Sequence, residues 1–317
     1  MKSARGLNRR AWLWSAGCVL GSGTWSRGDD KPTPSDRAQI DEIGERARKA
    51  GLKPFRTSLS PHFLAIGDAP DPFRESALAV CESFAKVFVP YFHDRGFDAA
   101  MPHERLAVVV LRDADSYRAL AADEAGAAVG GHYDLDANRL VIFDFRGRRD
   151  QLATNAERVN SFTLVHESAH LLSYNCGILN RRADTPVCVS EGLATYIELW
   201  RPRGRDKFGA TNRPRLKALM EAGSGDQAWI PAADLIASDK VFDADATVQL
   251  AYAESWVLIH MLIKTAARLP ALRAYLKGMP AETSEAKRLG HAEKTLGSLS
   301  DLDRDLKRHA RHELASP

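Results

Sequence analysis

Apolar residues follow a strand-like spacing early in the chain. The segments HFLAIGD (62–68) and RLAVVVLRD (105–113) are nearly continuous apolar runs of strand length, which predict strands. Between them, residues 71–97 repeat apolar side chains at helical spacing, with Asp71 as a cap and Pro72 in the first turn. This part of the chain therefore predicts two strands joined by a long amphipathic helix.

The pattern continues with a short helix and a hairpin, and then becomes helical. ADSYRALAADEAG (114–126) predicts a helix, and the two β-rich runs of residues 128–145 predict a hairpin turning at Asp134 to Asn138. Later helices are predicted at 160–174, 190–201, 213–222, 248–268, 270–277 and 299–314. We expect an α+β protein, in which an α/β lobe (29–155) and a helical lobe (156–317) form one unit.

The composition argues against nucleic acid as a partner and against a membrane-spanning helix. The 317 residues include 44 basic and 41 acidic side chains, and a net charge of +3 gives no reason to expect nucleic acid as a partner. No run reaches the ~18 apolar residues of a membrane-spanning helix.

Residues 1–28 have the composition of an export signal. A basic stretch without acids is followed by a short apolar stretch and then by polar, structure-breaking residues. Arg9 and Arg10 resemble a twin-arginine signal, an ordinary secretory signal is the alternative, and Cys18 is a candidate for lipid attachment. We expect export to the periplasm or the medium.

Three cysteines follow this segment. Cys81 lies on the apolar side of the predicted helix 71–97 and is expected to be a buried thiol. Cys176 and Cys188 are separated by eleven residues and either close a disulfide loop or remain free.

The segment HESAH contains the strongest chemical signal in the chain. His166 and His170 are one helical turn apart, so their imidazoles share a face and can bind one zinc ion. Glu167 then projects beside the metal, where its carboxylate can take a proton from an attacking water. The alternative is a packed helix that carries two histidines by chance.

Glu191 supplies a third ligand of the right kind. It follows His170 after twenty residues, in SEGLATYIELW, a predicted helix with Ser190 as its N-cap. Gly192 beside it suggests a close approach of another backbone or a ligand. Two histidines and a glutamate complete the donor set of a catalytic zinc site, whereas the alternative role of Glu191 is helix capping.

The pair HESAH and SEGLATYIE resembles the gluzincin branch of zinc metallopeptidases, in particular the peptidase-MA-like and DUF1570-like proteins. The segments RLAVVVLRDADSYRAL, GGHYDLDANRLVIFD and YAESWVLIHML add to the likeness. The resemblance implies a zincin-like fold, with an edge hairpin in the first lobe and the active-site helix between the lobes. It also implies one zinc ion held by His166, His170 and Glu191, Glu167 as general base, and strand 139–145 lining a cleft for peptide or protein substrates.

Further residues are assigned supporting roles. The resemblance suggests Tyr252 as the donor to the developing oxyanion, and a core tyrosine is the alternative. Thr195, and less directly Glu198, are predicted to orient a ligand histidine, while His132 and His260 are predicted to be structural. The sequence thus predicts an exported zinc-dependent peptidase, and the alternative is a secreted zinc-binding protein without hydrolytic activity.

Overall fold

The computed structural model describes residues 31–121, 130–147, 156–205, 207–224, 228–281 and 284–315. The predicted export signal, with Arg9, Arg10 and Cys18, lies outside the described residues. Among the described helices, none has the length and apolar character needed to cross a membrane.

A five-stranded mixed sheet forms one half of the protein. Its strands are β1 (Arg56–Leu59), β2 (Phe63–Gly67), β3 (Leu106–Leu111), β4 (Gly131–Asp134) and β5 (Arg139–Phe143), in the order β1-β2-β3-β5-β4. The three central strands β2, β3 and β5 are parallel, and β1 and β4 pair antiparallel at the two edges. The two predicted strands and the hairpin are therefore confirmed, whereas β1 was not predicted.

Eleven α-helices accompany the sheet in the described residues. They are α1 (Pro34–Lys49), α2 (Asp71–His93), α3 (Ala114–Leu120), α4 (Ala156–Asn175), α5 (Val187–Ile197), α6 (Arg213–Ser224), α7 (Ala232–Ala237), α8 (Val248–Lys264), α9 (Leu269–Lys277), α10 (Glu285–Leu296) and α11 (Leu299–Ala315). Sequence patterns missed α1, α7 and α10, which are short or mostly polar. The cap of α2 is Pro70, and Asp71 is already helical, so the prediction of Asp71 as the cap was wrong.

Both faces of the sheet are covered, which explains why its central strands read as continuous apolar runs. Val108 and Val110 of β3 belong to a large core that includes α2, while Val109 and Leu111 point to a smaller core with α1 and α3. The larger core continues into the helical half as far as Ala310 of α11. Sheet and helices consequently share one hydrophobic core, and α4 packs between them.

The three cysteines of the described residues are free and buried. The Sγ atom of Cys176 lies 3.6 Å from Met101 Sδ, and Cys188 is buried within α5, so the alternative of a Cys176–Cys188 disulfide is wrong. Burial raises the pKa of the Cys81 and Cys176 thiols to about 12. These thiols are apolar packing groups.

Gly192 allows α5 to pack closely on α8. A Cβ atom at this position would lie 2.5 Å from Cγ1 of Ile259 and 2.6 Å from the carbonyl oxygen of Ser255, which is backbone and cannot rotate away. We expect Gly192→Ala to reduce the free energy of unfolding by about 2 kcal/mol, because overpacking outweighs the gain in helix propensity. Urea denaturation measures this change.

The matched control is Gly290→Ala in α10, where a Cβ meets nothing within 4 Å. Because only helix propensity changes there, we expect it to stabilise the protein by up to about 1 kcal/mol. Equal effects of the two substitutions would show that α5 and α8 are not in close contact.

Glu254 of α8 is a buried carboxyl group with an unusual protonation equilibrium. Burial, assisted by Asp303, raises its pKa from 4.5 to about 8, although the Ile230 N–H and Lys307 oppose the shift. The Ile230 N–H donates to Glu254 Oε1 at 2.9 Å. The folded state therefore binds a proton that the unfolded state releases above pH 4.5, and stability falls as pH rises from 4.5 to 8.

Glu254→Gln should remove this pH dependence, because the amide keeps the oxygen that accepts from Ile230 and carries no charge. Relative to the variant, the wild type should lose about 1.4 kcal/mol per pH unit between pH 5 and 8. Below pH 4.5 the difference should be constant. Chemical denaturation at a series of pH values checks this, and parallel stability curves across pH 5 to 8 would contradict it.

Candidate metal centre

The helix α4 presents two imidazoles on one face. His166 and His170 lie one turn apart, with their ring centroids 5.1 Å apart, and both side chains are mostly buried. The other side of the helix is held by Val165, Leu171 and Leu172, which are completely buried. Packing therefore fixes the helix, and the helical repeat brings the two rings to the same place.

The carboxylate of Glu191 in α5 lies between these rings. Its Oε2 atom is 3.2 Å from His166 Nε2, and its Oε1 atom is 3.4 Å from His170 Nε2. One ligand atom from each of the three residues lies within 4.8 Å of the others. The structure thus brings together the three residues that the sequence analysis proposed as metal ligands.

Glu191 is not explained by helix capping. The helix α5 starts at Val187 after Pro186, so Glu191 is in its second turn, and the prediction of Ser190 as N-cap was wrong. The Ser190 hydroxyl instead donates to the carbonyl oxygen of Val187. Pro186 is the N-cap instead, four residues before Ser190.

Glu198 supports His166 from the far side of the ring. Its Oε2 atom lies 3.2 Å from His166 Nδ1, and its Oε1 atom accepts from Asn212 Nδ2 at 2.7 Å and from Arg215 Nε at 3.1 Å. Thr195, which was predicted first for this role, donates to the carbonyl oxygen of Glu191 at 2.7 Å. That prediction was wrong because a threonine in a helix can satisfy its hydroxyl on the preceding turn.

The carboxylates of Glu167, Glu191 and Glu198 give the cluster an excess of negative charge. Burial by itself would raise the pKa of Glu191, but His170 and His166 outweigh it, so that pKa lies well below its ordinary value. Burial likewise would lower the pKa of His166, yet Glu191 and Glu198 hold it well above 6.5. Burial raises the pKa of Glu167. Three buried carboxylates require positive charge nearby. Of the three, Arg215 forms an ion pair with Glu198 only.

The edge strand beside Glu167 is β4. The backbone N–H of Tyr133 in β4 faces the Glu167 carboxyl and opposes the rise in its pKa. In contrast, β5 (residues 139–143) pairs with β3 on one side and β4 on the other, so the expectation that strand 139–145 lines the cleft was wrong. The hairpin was predicted correctly, but the order of its two strands in the sheet depends on which of them pairs with β3.

Tyr252 of α8 faces the same region. Its ring packs against Phe242, with centroids 5.5 Å apart, and Arg215 lies 5.2 Å from the ring centroid. Burial raises the pKa of Tyr252, and the charges of Glu191 and Glu167 raise it further. The side chain is half-buried, and the raised pKa keeps its hydroxyl protonated at neutral pH.

A groove of about 960 Å³ begins where α4 ends. Tyr174, one turn beyond His170, lines it and stacks on Tyr133 with ring centroids 5.6 Å apart. Its charged lining residues are Arg181, Arg182, Arg273, Lys277, Asp98 and Asp136. Basic groups therefore outnumber acidic groups in this groove, which the last residues of α4, Tyr174 and Asn175, help to line.

The donor set fits a divalent transition metal. Two imidazole nitrogens and one carboxylate oxygen are the ligands that zinc takes in three-ligand sites, and Glu198 on His166 is the hydrogen-bonded partner that such a histidine requires. His132 is not part of this site, since its Nδ1 lies 2.7 Å from the Tyr117 hydroxyl. The described residues therefore contain a buried group that can hold a metal ion.

Residues 160–281 match the model of a family described as a protein of unknown function, DUF1570. The match covers α4 from residue 160 onward, together with α5 and α8, and so includes His166, Glu167, His170 and Glu191. It agrees with the DUF1570-like part of the resemblance. No curated protein matches the chain at a significant level.

Proposed function

We propose that this protein is an exported, zinc-dependent metallopeptidase of the gluzincin type with a zincin-like fold. The observation that carries the proposal is the approach of Glu191 to both His166 and His170 across two helices. Export is supported by the composition of residues 1–28. The choice of zinc is supported by the donor set and by the excess of buried carboxylates.

His166, His170 and Glu191 would hold one zinc ion, which would polarise a carbonyl group and lower the pKa of water at the site. Glu167 takes the proton from the attacking water and returns it to the leaving amine. Its raised pKa suits the first half of this exchange, because a carboxylate with a higher pKa is a stronger base. The Tyr133 N–H faces this carboxylate and favours its charged form.

Tyr252 would donate its hydroxyl proton in a hydrogen bond to the oxyanion that develops on the substrate carbonyl. A phenol with a raised pKa keeps its proton at neutral pH and can donate throughout the reaction. Its ring is fixed by Phe242 and Arg215, so the hydroxyl would need little reorganisation.

Peptides are the substrates that fit the surroundings of the site. An extended chain can add to the edge strand β4 through backbone hydrogen bonds, which places a peptide carbonyl beside Glu167. The groove beyond Tyr174 would take the substrate residues on one side of the cleaved bond. Because Arg181, Arg182 and Arg273 line it, we expect acidic side chains to be preferred there.

Metal analysis and peptide-library profiling of the purified protein test the proposal. We expect tightly bound zinc and cleavage that a chelator abolishes and added Zn²⁺ restores. Cleavage sites should be enriched in Asp or Glu on one side. Zinc without cleavage of any peptide would support the non-hydrolytic zinc-binding alternative, and absence of zinc binding by the His166 cluster would exclude both.

A further inference from the structure

A second group of metal-ligand side chains lies between α8 and α11. His260 of α8 places Nδ1 at 2.8 Å from Nε2 of His309 in α11. Glu313, one turn further along α11, adds a carboxylate, and one ligand atom from each residue lies within 4.8 Å of the others. His260 is buried, and His309 and Glu313 are half-buried. These are the same three donor types as in the first cluster.

The two ligands on α11 continue the buried face of that helix. Leu302, Leu306 and Ala310 are buried against the protein in its earlier turns and beside His309. A fully apolar continuation would complete this face. Instead, His309 and Glu313 occupy it at a spacing of four residues, which places both side chains over the same spot. The change from apolar to ligand residues occurs where α11 meets His260.

Other contacts orient the proposed ligands. The Thr211 hydroxyl donates to Glu313 Oε2 at 3.0 Å, and the backbone of Gly209 lies near the His260 ring. Ligand histidines typically use their second ring nitrogen on a backbone carbonyl, and ligand carboxylates are hydrogen-bonded in turn. The segment 209–211 thus holds Glu313 of α11 and lies beside His260 of α8.

Aromatic packing fixes the position of the His260 ring. Its centroid lies 5.0 Å from that of Trp256 and 5.8 Å from that of Tyr196. Gly209 has φ of +68°, and a Cβ there would collide with the Tyr196 hydroxyl, so the segment approaches the Tyr196 ring closely. A rigid ring loses little freedom when it binds a metal ion, which favours affinity.

We propose that His260, His309 and Glu313 form a second zinc site, which fastens the C-terminal helix α11 to α8. This proposal does not depend on the proposed peptidase function. Helix α8 packs against α5 and carries Tyr252, so the ion would stabilise the helical half behind the first cluster. The role is structural, because His260 is buried and the cluster lies away from the groove.

The second site should bind zinc more weakly than the first. Glu313 is its one carboxylate ligand, whereas the first cluster has three carboxylates around it. Lys264, one turn after His260, is close enough to both histidine rings to oppose a cation. In a titration the second site should therefore fill after the first.

Zinc titration of the stripped protein against a chromophoric chelator tests the proposal. The wild type should bind two ions, and Glu313→Gln and His309→Asn should each bind one. Glu313→Gln keeps an oxygen to accept from Thr211 and so preserves the local hydrogen bond. His103→Asn, which changes an exposed histidine elsewhere, should still bind two.

Thermal unfolding provides a second readout on a Glu191→Gln background, which isolates the second site. Added Zn²⁺ should raise the midpoint in this variant and leave it unchanged in the Glu191→Gln/Glu313→Gln double variant. Equal zinc stoichiometry in the wild type, Glu313→Gln and His309→Asn would overturn the proposal. One ion that survives Glu191→Gln and is lost in Glu313→Gln would support the second site and contradict the first.

Discussion

Glu167→Gln should retain zinc and lose nearly all peptidase activity. Glutamine has the shape of glutamate, but its amide cannot take a proton from water. General base catalysis by a positioned side chain contributes about 10²- to 10⁴-fold, so we expect kcat/KM to fall by about 10³-fold. Zinc content and cleavage of a fluorogenic peptide measure the two properties separately.

Glu75→Gln is the matched control for this prediction. Glu75 is an exposed residue of α2, and the same chemical change there should leave both zinc content and turnover at the wild-type level. Unchanged turnover in Glu167→Gln would exclude Glu167 as the base. Loss of zinc together with activity would mean that Glu167 acts as a ligand or holds the cluster together.

Glu191→Gln should weaken zinc binding at the first cluster by more than about 100-fold. Replacing an anionic ligand removes charge as well as a donor atom, and loss of an orienting partner alone typically costs 10- to 100-fold in metal affinity. The substitution preserves side-chain size next to Gly192, where α5 and α8 pack closely. Competition with a chelator of known affinity measures the dissociation constant.

Glu313→Gln serves as the control for this second prediction, since it makes the same change in the other cluster. It should leave the tighter zinc ion in place. If Glu191→Gln bound that ion as tightly as the wild type does, the contacts of Glu191 with His166 and His170 would be ordinary hydrogen bonds. The three side chains would then stabilise the packing of α4 against α5 and would not form a metal site.

Local patterns predicted most of the secondary structure. The strands β2 and β3, helix α2 and the β4–β5 hairpin were expected because their apolar spacing or turn residues are local signals. Helices α7 and α10 were not expected, because α7 is only six residues long and α10 is mostly exposed. The start of α5 was predicted too late in the chain. Pro186 and Ser190 both signal a helix start, and the helix begins directly after Pro186.

Only part of the arrangement of the metal centre could be predicted from the sequence. Thr195 and Glu198 are both plausible partners for His166 from their positions along α5, and only the structure shows that Glu198 reaches its Nδ1 atom. Arg215 and Asn212, which hold Glu198, have no local signal because they come from α6 and the segment before it. No motif pairs His260 with α11, although the spacing of His309 and Glu313 could have been noticed.

The sequence by itself determined that His166 and His170 share a face, because the α-helical repeat is the same in every helix. It also determined which donor types are available for a metal ion. Only the tertiary structure decided that Glu191 lies between the two rings, that β4 is the edge strand, and that α11 brings two ligands to His260. Those placements depend on how sheets and helices pack over long sequence separations, where burial of a shared core, and no local pattern, selects the partner.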